Sequence, residues 1–419
     1  MILFDILKYF NISIGVLFII CYSYQLFFLV EGTYLKPKKY ESAARQGRFA
    51  FCIAARNEEA VISQLCDSIK NQNYPAELID IYVVADNCTD NTASVAKKSG
   101  AHVFCRFDDK RIGKGYALGF LFDKIEWSVG ISTYDGYFIV DADNILDRNY
   151  VSAMNDCVSA GHRVIMCYRN SKNYADNWIS AGYSLWFLRA SRHLNIPRQH
   201  FGTSCEITGT GFYVCSDIIV KNGGWIHHCL IEDIEFTIDC VLGGERVALS
   251  YDAIVYDEQP TSFCQSLRQR KRWCKGYIQI LKKYGLKLFS AFLCGKGFSN
   301  FDMIMAISPA FFISTVAVVV NFVLAAAIPI FDISLILPTL KLELLSVLFV
   351  YLLLFFVGAL AAICERKRIR APKYKVVLYL FSFPIFVMTF IIANFLAIFS
   401  KVEWSPIEHH ATDMGKFDQ

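Results

Sequence analysis

The chain has 419 residues, 54% of them apolar, a positive mean hydropathy of +0.35 and a formal net charge of only +4. This apolar composition indicates that part of the chain lies in lipid. The small charge, concentrated beside apolar segments, excludes nucleic acid as an expected partner. Fifteen cysteines without a CxxC pair indicate free thiols in a reducing compartment and favour neither zinc binding nor a secreted disulfide framework.

Four uncharged apolar stretches are long enough to cross a bilayer as helices, which requires about 20 residues. They are Tyr9–Val30, Met303–Phe331, Leu344–Cys364 and Val376–Ser400. The first has no obvious small-residue cleavage site, so we expect an anchor rather than a signal peptide. Basic residues at 36–48 and 366–375 flank the first and last stretches, and the positive-inside bias predicts that both regions face the cytoplasm.

These boundaries predict a multi-pass protein of the cell membrane with its large domain in the cytoplasm. We expect an N-terminal membrane helix at 1–31, a cytosolic domain at 32–285, an interfacial segment at 286–302, a membrane region at 303–400 and a polar tail at 401–419. Three crossings after the domain would put the tail outside, unless one stretch is interfacial or re-entrant. Pro309 and Pro384 lie inside two of the stretches, where a helix tolerates proline or breaks.

Short apolar runs alternate with helical patterns in the cytosolic domain. The runs at 49–55, 79–87, 102–107 and 136–144 are typical of strands, and each precedes a segment with helical features. Strands that alternate with helices predict an α/β domain with a mostly parallel sheet covered on both faces.

Polar side chains follow three of the predicted strands. Arg56 and Glu58 come after the first, Asp86 after the second, and Asp141 and Asp143 after the fourth. Ligands bind at the carboxyl ends of such strands, so we expect these groups to converge. The last two are also ordinary turn residues, and a D-x-D pattern has many chance matches. In a functional reading, one carboxylate binds Mg²⁺ or Mn²⁺ and the other a nucleotide hydroxyl.

Two later segments combine charge with a helical pattern. Glu232 and Asp233 precede an apolar helix, where they either favour the helix dipole or supply a general base. Gln269, Arg272 and Trp273 lie in a basic run. That run is either a solvated helix face near a membrane or a diphosphate clamp beside a sugar-stacking surface.

Seven motifs, taken in order, resemble those of the membrane-embedded family 2 glycosyltransferases, the group of cellulose, hyaluronan, chitin and poly-N-acetylglucosamine synthases. They are AARNEE, ADN, GKGYAL, DAD, TGTGF, IED and QRKRW, and the last fits Q-x-x-R-W. The similarity covers roughly residues 48–280 and the flanking helices. Ile231 stands where the family has the threonine of T-E-D, which puts the local hydrogen bonding of that motif in doubt.

The resemblance implies a GT-A fold for the cytosolic domain and a role for each matching residue. Asp143 would hold the Mg²⁺ or Mn²⁺ that bridges the diphosphate, and Asp233 would take the proton from the acceptor hydroxyl. Nucleotide binding is implied for Ala55, Arg56, Glu58, Asp86, Lys114, Asp141 and Arg272. Acceptor binding is implied for Gly209, Thr210, Gly211, Phe212, Glu232, Gln269 and Trp273.

The same resemblance implies an inverting, processive enzyme. It would polymerise a β-glucan, with 1,4 or mixed 1,3 and 1,4 linkages, from UDP-glucose, and pass the growing polysaccharide through its own membrane helices with or without accessory export or regulatory subunits. One alternative is the transfer of a single sugar to a membrane lipid, and another is a poly-N-acetylglucosamine or hyaluronan type of synthase. A transporter or scaffold with an inactive transferase-like domain is a third.

Overall fold

The computed structural model describes residues 2–307, 309–402 and 409–411, so most of the predicted tail lies outside the described residues. The strands within these residues form one eight-stranded sheet with the order β3-β2-β1-β4-β7-β6-β8-β5. The strands are β1 Phe49–Ala55, β2 Ile79–Asp86, β3 His102–Arg106, β4 Gly136–Asp141, β5 Ile145–Leu146, β6 Val164–Ser171, β7 Phe212–Cys215 and β8 Val247–Asp257.

The α-helices between residues 49 and 293 are α2 Ile62–Lys70, α3 Thr92–Lys98, α4 Lys114–Ser128, α5 Tyr150–Ser159, α6 Trp178–Arg189, α7 Ile196–His200, α8 Ser216–Asn222, α9 Glu232–Leu242 and α10 Phe263–Leu293. The remaining helices are α1 Ile2–Tyr34, α11 Phe298–Ile307, α12 Pro309–Phe331, α13 Ile336–Cys364, α14 Lys373–Met388 and α15 Phe390–Phe399. A π-helical turn, Ala190–Asn195, joins α6 to α7.

The sheet is a GT-A-like mixed sheet rather than a purely parallel one. Strands β3, β2, β1 and β4 are parallel neighbours, as the alternating pattern predicts, and β6 is parallel to β8. Strand β7 is antiparallel to both β4 and β6, because the chain enters it beside the carboxyl end of β4 and runs back. The apolar strands are buried on both faces, and Phe49, Phe51 and Phe138 pack together in the core.

In the part of the chain that the structure describes, four helices are long and apolar enough to cross a membrane by length and composition: Ile2–Tyr34, Phe312–Phe331, Ile333–Cys364 and Lys373–Phe399. Buried polar contacts join α1, α11 and the end of α13 to the domain that contains the sheet. Arg198 of α7 pairs with Asp302 of α11 at 2.7 Å, and the Tyr24 hydroxyl of α1 donates to the same carboxylate at 2.8 Å. Glu365, just after α13, accepts hydrogen bonds from Tyr168 and Tyr251 of the sheet.

Helix α10 extends past the expected domain boundary at residue 285, since it ends only at Leu293. The segment 286–302, which the sequence suggests is interfacial, therefore comprises the end of α10, a turn with Gly295 and Gly297 at positive φ, and the start of α11. The exposed side chains of this part include Leu286, Phe289, Leu293 and Phe298, which is typical of a helix at the surface of a membrane.

Candidate active site

The carboxyl ends of β1, β2 and β4 meet at one edge of the sheet. Asn57 and Asn87 follow β1 and β2 with φ values of 58° and 51°, a left-handed conformation that asparagine tolerates better than most residues. The Asn57 carboxamide accepts from the Thr89 backbone N–H at 2.8 Å, which ties the two loops together. The strand ends that the sequence singles out therefore line one site.

Asp86, at the end of β2, is buried and ion-paired. Its Oδ1 lies 2.5 Å from Nη1 of Arg106, at the end of the neighbouring strand β3. This arginine holds the Asp86 carboxylate in place at the far end of the site. The family resemblance implies that this carboxylate contacts the uracil of the nucleotide. Ala55, at the end of β1, is buried, and its carbonyl accepts from the Cys88 thiol.

The two aspartates of the DAD motif have different surroundings. Asp141 ends β4, remains partly exposed, and its Oδ1 lies 2.6 Å from Nζ of Lys114. Asp143 is only 6% exposed, and it accepts from the Glu258 backbone N–H at 2.9 Å and from the Asn144 side chain at 3.2 Å. The turn and the site are thus built from the same residues.

Lys114 joins the nucleotide side of the site to the acid pair. Besides its contact with Asp141, its Nζ lies 3.6 Å from Glu232 and donates to the Gly209 carbonyl at 2.9 Å. The GKG sequence allows this placement, because a side chain at Gly115 would collide with the backbone carbonyl of His227. Helix α4 therefore approaches the loop before α9 closely enough for the lysine to reach both groups.

The carboxylates of Glu232 and Asp233 begin helix α9. Burial raises the pKa of both carboxyl groups above the ordinary range, while Lys114 opposes that shift. Glu232 is buried against the lysine, and Asp233 remains partly exposed on the other side. A partly exposed carboxyl with a raised pKa has the properties of a general base that works near neutral pH.

The TGTGF loop lies beside the DAD motif, and three of its residues are buried. Thr210 is fully buried, where it accepts from the Asp141 backbone N–H at 2.8 Å. Gly211 packs against Cys167, and Phe212 is a core residue of β7. The side chains of Thr210 and Phe212 and the position of Gly211 are thus buried, and acceptor binding by these residues stays a prediction. Gly209 remains accessible, with a φ of 96° that fits glycine.

The Q-x-x-R-W segment lies on α10 beside α6. Trp273 packs edge-on against Tyr183 and Phe187, at centroid distances of 5.7 and 6.3 Å. Within the described part of the chain, Arg272 has no ion pair and the buried Oε1 of Gln269 has no hydrogen-bond partner. Trp273 packs against the apolar cluster of Ile231 and Ile234, and the charge of Arg272 opposes the rise in the pKa of the Glu232 carboxyl.

Two cations that the motif analysis missed lie on or just after β6. Arg169 forms a buried pair with Asp257, with Nε 2.7 Å from the carboxylate. The charges of Asp141 and Asp143 also raise the pKa of its guanidinium. A Cβ on Gly209 would lie 3.0 Å from Arg169 and 4.0 Å from Asp233, so the arginine reaches the centre of the site. The buried Nζ of Lys172 has no hydrogen-bond partner among the described residues. The YRNSK sequence after an apolar run was the available signal for a further strand end.

The C-terminal tail also reaches the site. Nδ1 of His409 lies 2.9 Å from Glu58, and the His410 backbone N–H donates to Glu258 at 2.9 Å. Burial alone would lower the pKa of His409, but Asp143 and Glu58 raise it to about 9. No local sequence pattern indicates this contact, because it joins residues 351 positions apart.

The donor set around Asp143 fits a hard divalent cation. Among residues 2–307, 309–402 and 409–411, no three His, Cys, Asp or Glu side chains converge into a complete metal cage. Mg²⁺ and Mn²⁺ do not require one, since they commonly bind one or two carboxylates and complete their shells with water and substrate phosphates. Asp143 and Asp141 supply carboxylates of that kind.

A GT-A-like sheet with these strand-end carboxylates and cations defines a glycosyltransferase. The family model described as "Glycosyltransferase like family 2" matches residues 46–276, more than half of the chain. The chain therefore belongs to the family 2 glycosyltransferases.

Two curated relatives and one solved structure are similar to this chain. The probable glycosyltransferase YdaM of Bacillus subtilis is 26% identical over 60% of this chain and 60% of its own length. The beta-monoglucosyldiacylglycerol synthase of Nostoc sp. is 24% identical over 68% of this chain and 60% of its own length. A Pyrobaculum calidifontis mannosyltransferase, solved with GDP-Man and Mn²⁺, has a TM-score of 0.57 and 16% identity, and the match covers 93% of this chain and 99% of that one.

Proposed function

We propose that this enzyme transfers a single hexose from a nucleotide sugar to a hydroxyl group of a membrane lipid, with inversion at the anomeric carbon. The proposal rests on the path of the last two apolar helices, α14 and α15, which run along the catalytic domain. Both ends of this pair contact the catalytic domain, so the pair is a poor candidate for a wall of a polymer channel. The processive polymerisation implied by the resemblance thereby becomes the second candidate, favoured by the Q-x-x-R-W segment.

The contacts of α14 and α15 support a course along the catalytic domain. At the start of α14, Nζ of Lys375 donates to the Ala175 carbonyl at 2.8 Å. In the middle, Phe386 packs on Gly182 of α6, where any side chain would collide with its ring. At the end of α15, Nζ of Lys275 donates to the carbonyls of Ala397 and Ser400 at 3.1 and 3.2 Å.

With this course, α1, α12 and α13 are the helices left to cross the bilayer. Two crossings after the catalytic domain return the chain to the side of that domain, which agrees with the contact between His409 and Glu58. A last apolar stretch that lies at the interface would account for a tail on the same side as the catalytic domain. We place the catalytic domain in the cytoplasm, because the basic residues at 36–48 and 366–375 favour that side.

The names of relatives add support for the acceptor class. The Nostoc relative and two further matches, from Trichormus variabilis and Synechocystis sp., are named beta-monoglucosyldiacylglycerol synthases, each 24% identical to this chain. A glucosyl donor and a lipid acceptor are therefore the first choices, with UDP-glucose as the donor to test first. These relatives are longer than the part that matches, so their full activity does not transfer by itself.

The residues of the site suffice for a single displacement. Asp233 takes the proton of the acceptor hydroxyl as its oxygen forms a bond to C1 of the hexose, and the bond from C1 to the diphosphate oxygen breaks. Arg169, Lys114 and Arg272 offset the negative charge of the leaving nucleoside diphosphate. Asp143, with Asp141 beside it, would hold Mg²⁺ or Mn²⁺, which supplies further positive charge at the diphosphate.

The experiment is an acceptor assay with the purified full-length protein in detergent. We would incubate it with radiolabelled UDP-glucose, Mn²⁺ or Mg²⁺ and a lipid extract, and separate the organic phase from the water-soluble and insoluble products. Label in one glycolipid band supports the proposal. Label in long, glycosidase-sensitive chains, with none in lipid, would establish the second candidate instead.

A further inference from the structure

Glu235, in the first turn of α9, is a fully buried carboxylate that the proposed reaction does not use. One of its oxygens, Oε2, accepts from the Cys229 backbone N–H at 2.8 Å. The other, Oε1, lies 2.6 Å from Nζ of Lys283 on α10 and accepts from the Tyr284 hydroxyl at 3.2 Å. One buried carboxylate therefore joins the start of α9, the loop before it and helix α10.

The residue before α9 cannot hold the start of that helix by a hydrogen bond of its own side chain. Ile231 occupies the N-cap position, where serine, threonine, aspartate or asparagine would accept from a free backbone N–H group. Its side chain instead packs on α10 at Gly276, where an added Cβ would lie 2.6 Å from Cγ1 of Ile231. The Leu230 backbone N–H donates to the Gln279 carboxamide of the same helix at 3.1 Å. The start of α9 is therefore held by α10 rather than by a capping side chain.

The ion pair with Lys283 keeps the buried carboxylate of Glu235 charged. Burial alone would raise the pKa of this carboxyl, but the hydrogen bonds from Lys283 and from the Cys229 N–H lower it below its ordinary value. A buried carboxylate that loses its cation is strongly unfavourable, so it either takes up a proton or moves toward water. Either change weakens the hydrogen bond to Cys229 and loosens the loop that leads into Glu232.

We propose that Glu235 is a positioning residue for the proposed base, Asp233, and that Lys283 holds Glu235 in the place that this requires. Asp233 lies in the same first turn of α9, so the direction of its carboxylate depends on the conformation of that turn. The other end of the loop is also fixed, because the His227 carbonyl lies against Gly115 of α4. The inference rests on the proposed function, since it takes Asp233 as the base.

A positioning role affects turnover more than it affects substrate binding. Among the described residues, the hydrogen-bond partners of Glu235 belong to the loop before α9 and to α10, and none of the implied nucleotide-binding residues is among them. A displacement of the base by about 1 Å can lower the rate about 10²-fold, because proton transfer depends on the geometry of the reacting groups. Loss of the ion pair should therefore lower kcat while KM for the donor stays nearly constant.

The experiment measures UDP release from UDP-glucose by the purified full-length protein with Mn²⁺ and a lipid extract. We expect Lys283→Gln and Glu235→Gln each to lower kcat by about 10- to 10²-fold, with KM for UDP-glucose within about twofold of wild type. Lys283→Arg should retain most of the activity, because a guanidinium can also pair with the carboxylate. The double variant Glu235→Gln/Lys283→Gln removes both charges, so its kcat should exceed that of either single variant by at least about threefold.

Lys287→Gln is the matched control on α10. The ammonium groups of Lys283 and Lys287 lie 5.0 and 5.7 Å from the centroid of the Tyr284 ring, but among the described residues only Lys283 pairs with Glu235. Lys287→Gln should therefore keep the wild-type kcat. Lys283 itself has 53% of its side chain exposed, so its replacement should leave the fold intact, which thermal unfolding checks.

Three results would overturn the inference while leaving the proposed function in place. The first is a wild-type kcat in Lys283→Gln. The second is a loss that Lys287→Gln shares, or that a rise in KM for UDP-glucose matches, since either would indicate a general disturbance of the fold. The third is a double variant no faster than the slower single variant. Full activity of Asp233→Asn in the same assay would instead contradict the proposed base.

Discussion

Asp233 and Glu232 are adjacent carboxyl groups with different surroundings, and that difference supports Asp233 as the proposed base. Glu232 is buried within reach of Lys114, so the charge of its carboxylate is offset by the lysine. Asp233 remains partly exposed, opposite Gly209 and Arg169. Only the second carboxyl can approach an acceptor hydroxyl without first breaking an ion contact.

Replacing Asp233 by asparagine should therefore abolish transfer without unfolding the protein. We expect kcat to fall by about 10²- to 10⁴-fold, because proton transfer by a positioned base contributes that much. Calorimetric binding of UDP should remain within about twofold of wild type, because nucleotide binding does not need the base. Asp239→Asn, on the same helix and paired with His227, is the control that should keep its activity. Full activity in the Asp233→Asn variant would show that another group takes the proton.

The dependence of activity on pH tests the same pair. Burial raises the pKa of both carboxyl groups, so the base becomes ionised only at a pH above the ordinary carboxyl range of about 4 to 4.5. Because the ionised form is the active one, kcat/KM should rise with pH through this raised pKa and reach its plateau near neutral pH. A profile already flat at pH 5 would contradict the electrostatic account of the site.

Helix α4 and the loop before α9 depend on one glycine for their close approach. The Gly115 position has no room for a methyl group, because the His227 carbonyl lies directly against it. Gly115→Ala should destabilise the protein by about 1 to 3 kcal/mol, as overpacking does, and it should weaken nucleotide binding by displacing Lys114. Thermal unfolding and UDP titration measure the two effects.

Gly119→Ala is the matched control on the same helix. There the added methyl would lie 3.1 Å from the Trp225 carbonyl, a tight contact but not a collision. Its loss of stability should be smaller than that of Gly115→Ala. An equal or larger loss at Gly119 would show that the close approach at Gly115 is not the constraint that positions the lysine.

The sequence predicted the elements that depend on local pattern. The apolar strands β1, β2 and β4 and the helices after them follow from periodicity, and the edge where Asp86 and Asp141 meet follows from parallel pairing. Strand β7 was not predictable in this way, because a four-residue antiparallel strand owes its place to its neighbours β4 and β6. The burial of Thr210 and Phe212 was missed for the same reason, since a motif does not say which of its residues point into the core.

Hydropathy predicted the number of apolar stretches, but not whether each one crosses the membrane or lies along its surface. Lys373–Phe399 is as long and as apolar as a crossing helix, and only its contacts with α6 and α10 indicate a different course. The two ends of the stretch meet residues about 200 and 120 positions away in sequence. Such contacts cannot be inferred from composition, so the interfacial course could not be proposed from the sequence alone.

The proposed topology makes a direct prediction for the C-terminus. A reporter fused after residue 419 should lie on the same side of the membrane as a reporter inserted in the exposed Lys110–Arg111 turn of the catalytic domain. Two crossings after the domain produce this result, whereas three would place the C-terminal reporter on the opposite side. Opposite readings from the two fusions would contradict the interfacial course of α14 and α15 and would restore the fourth crossing.

In the proposed reaction, one hexose is added to one lipid. The most direct measurement is the intact mass of the products formed by the purified full-length enzyme from UDP-glucose and membrane lipids, with the Asp233→Asn variant as the blank. The account predicts a lipid product that carries a single hexose and does not grow with longer incubation or more donor. A series of products that lengthens with time, one hexose after another, would contradict it.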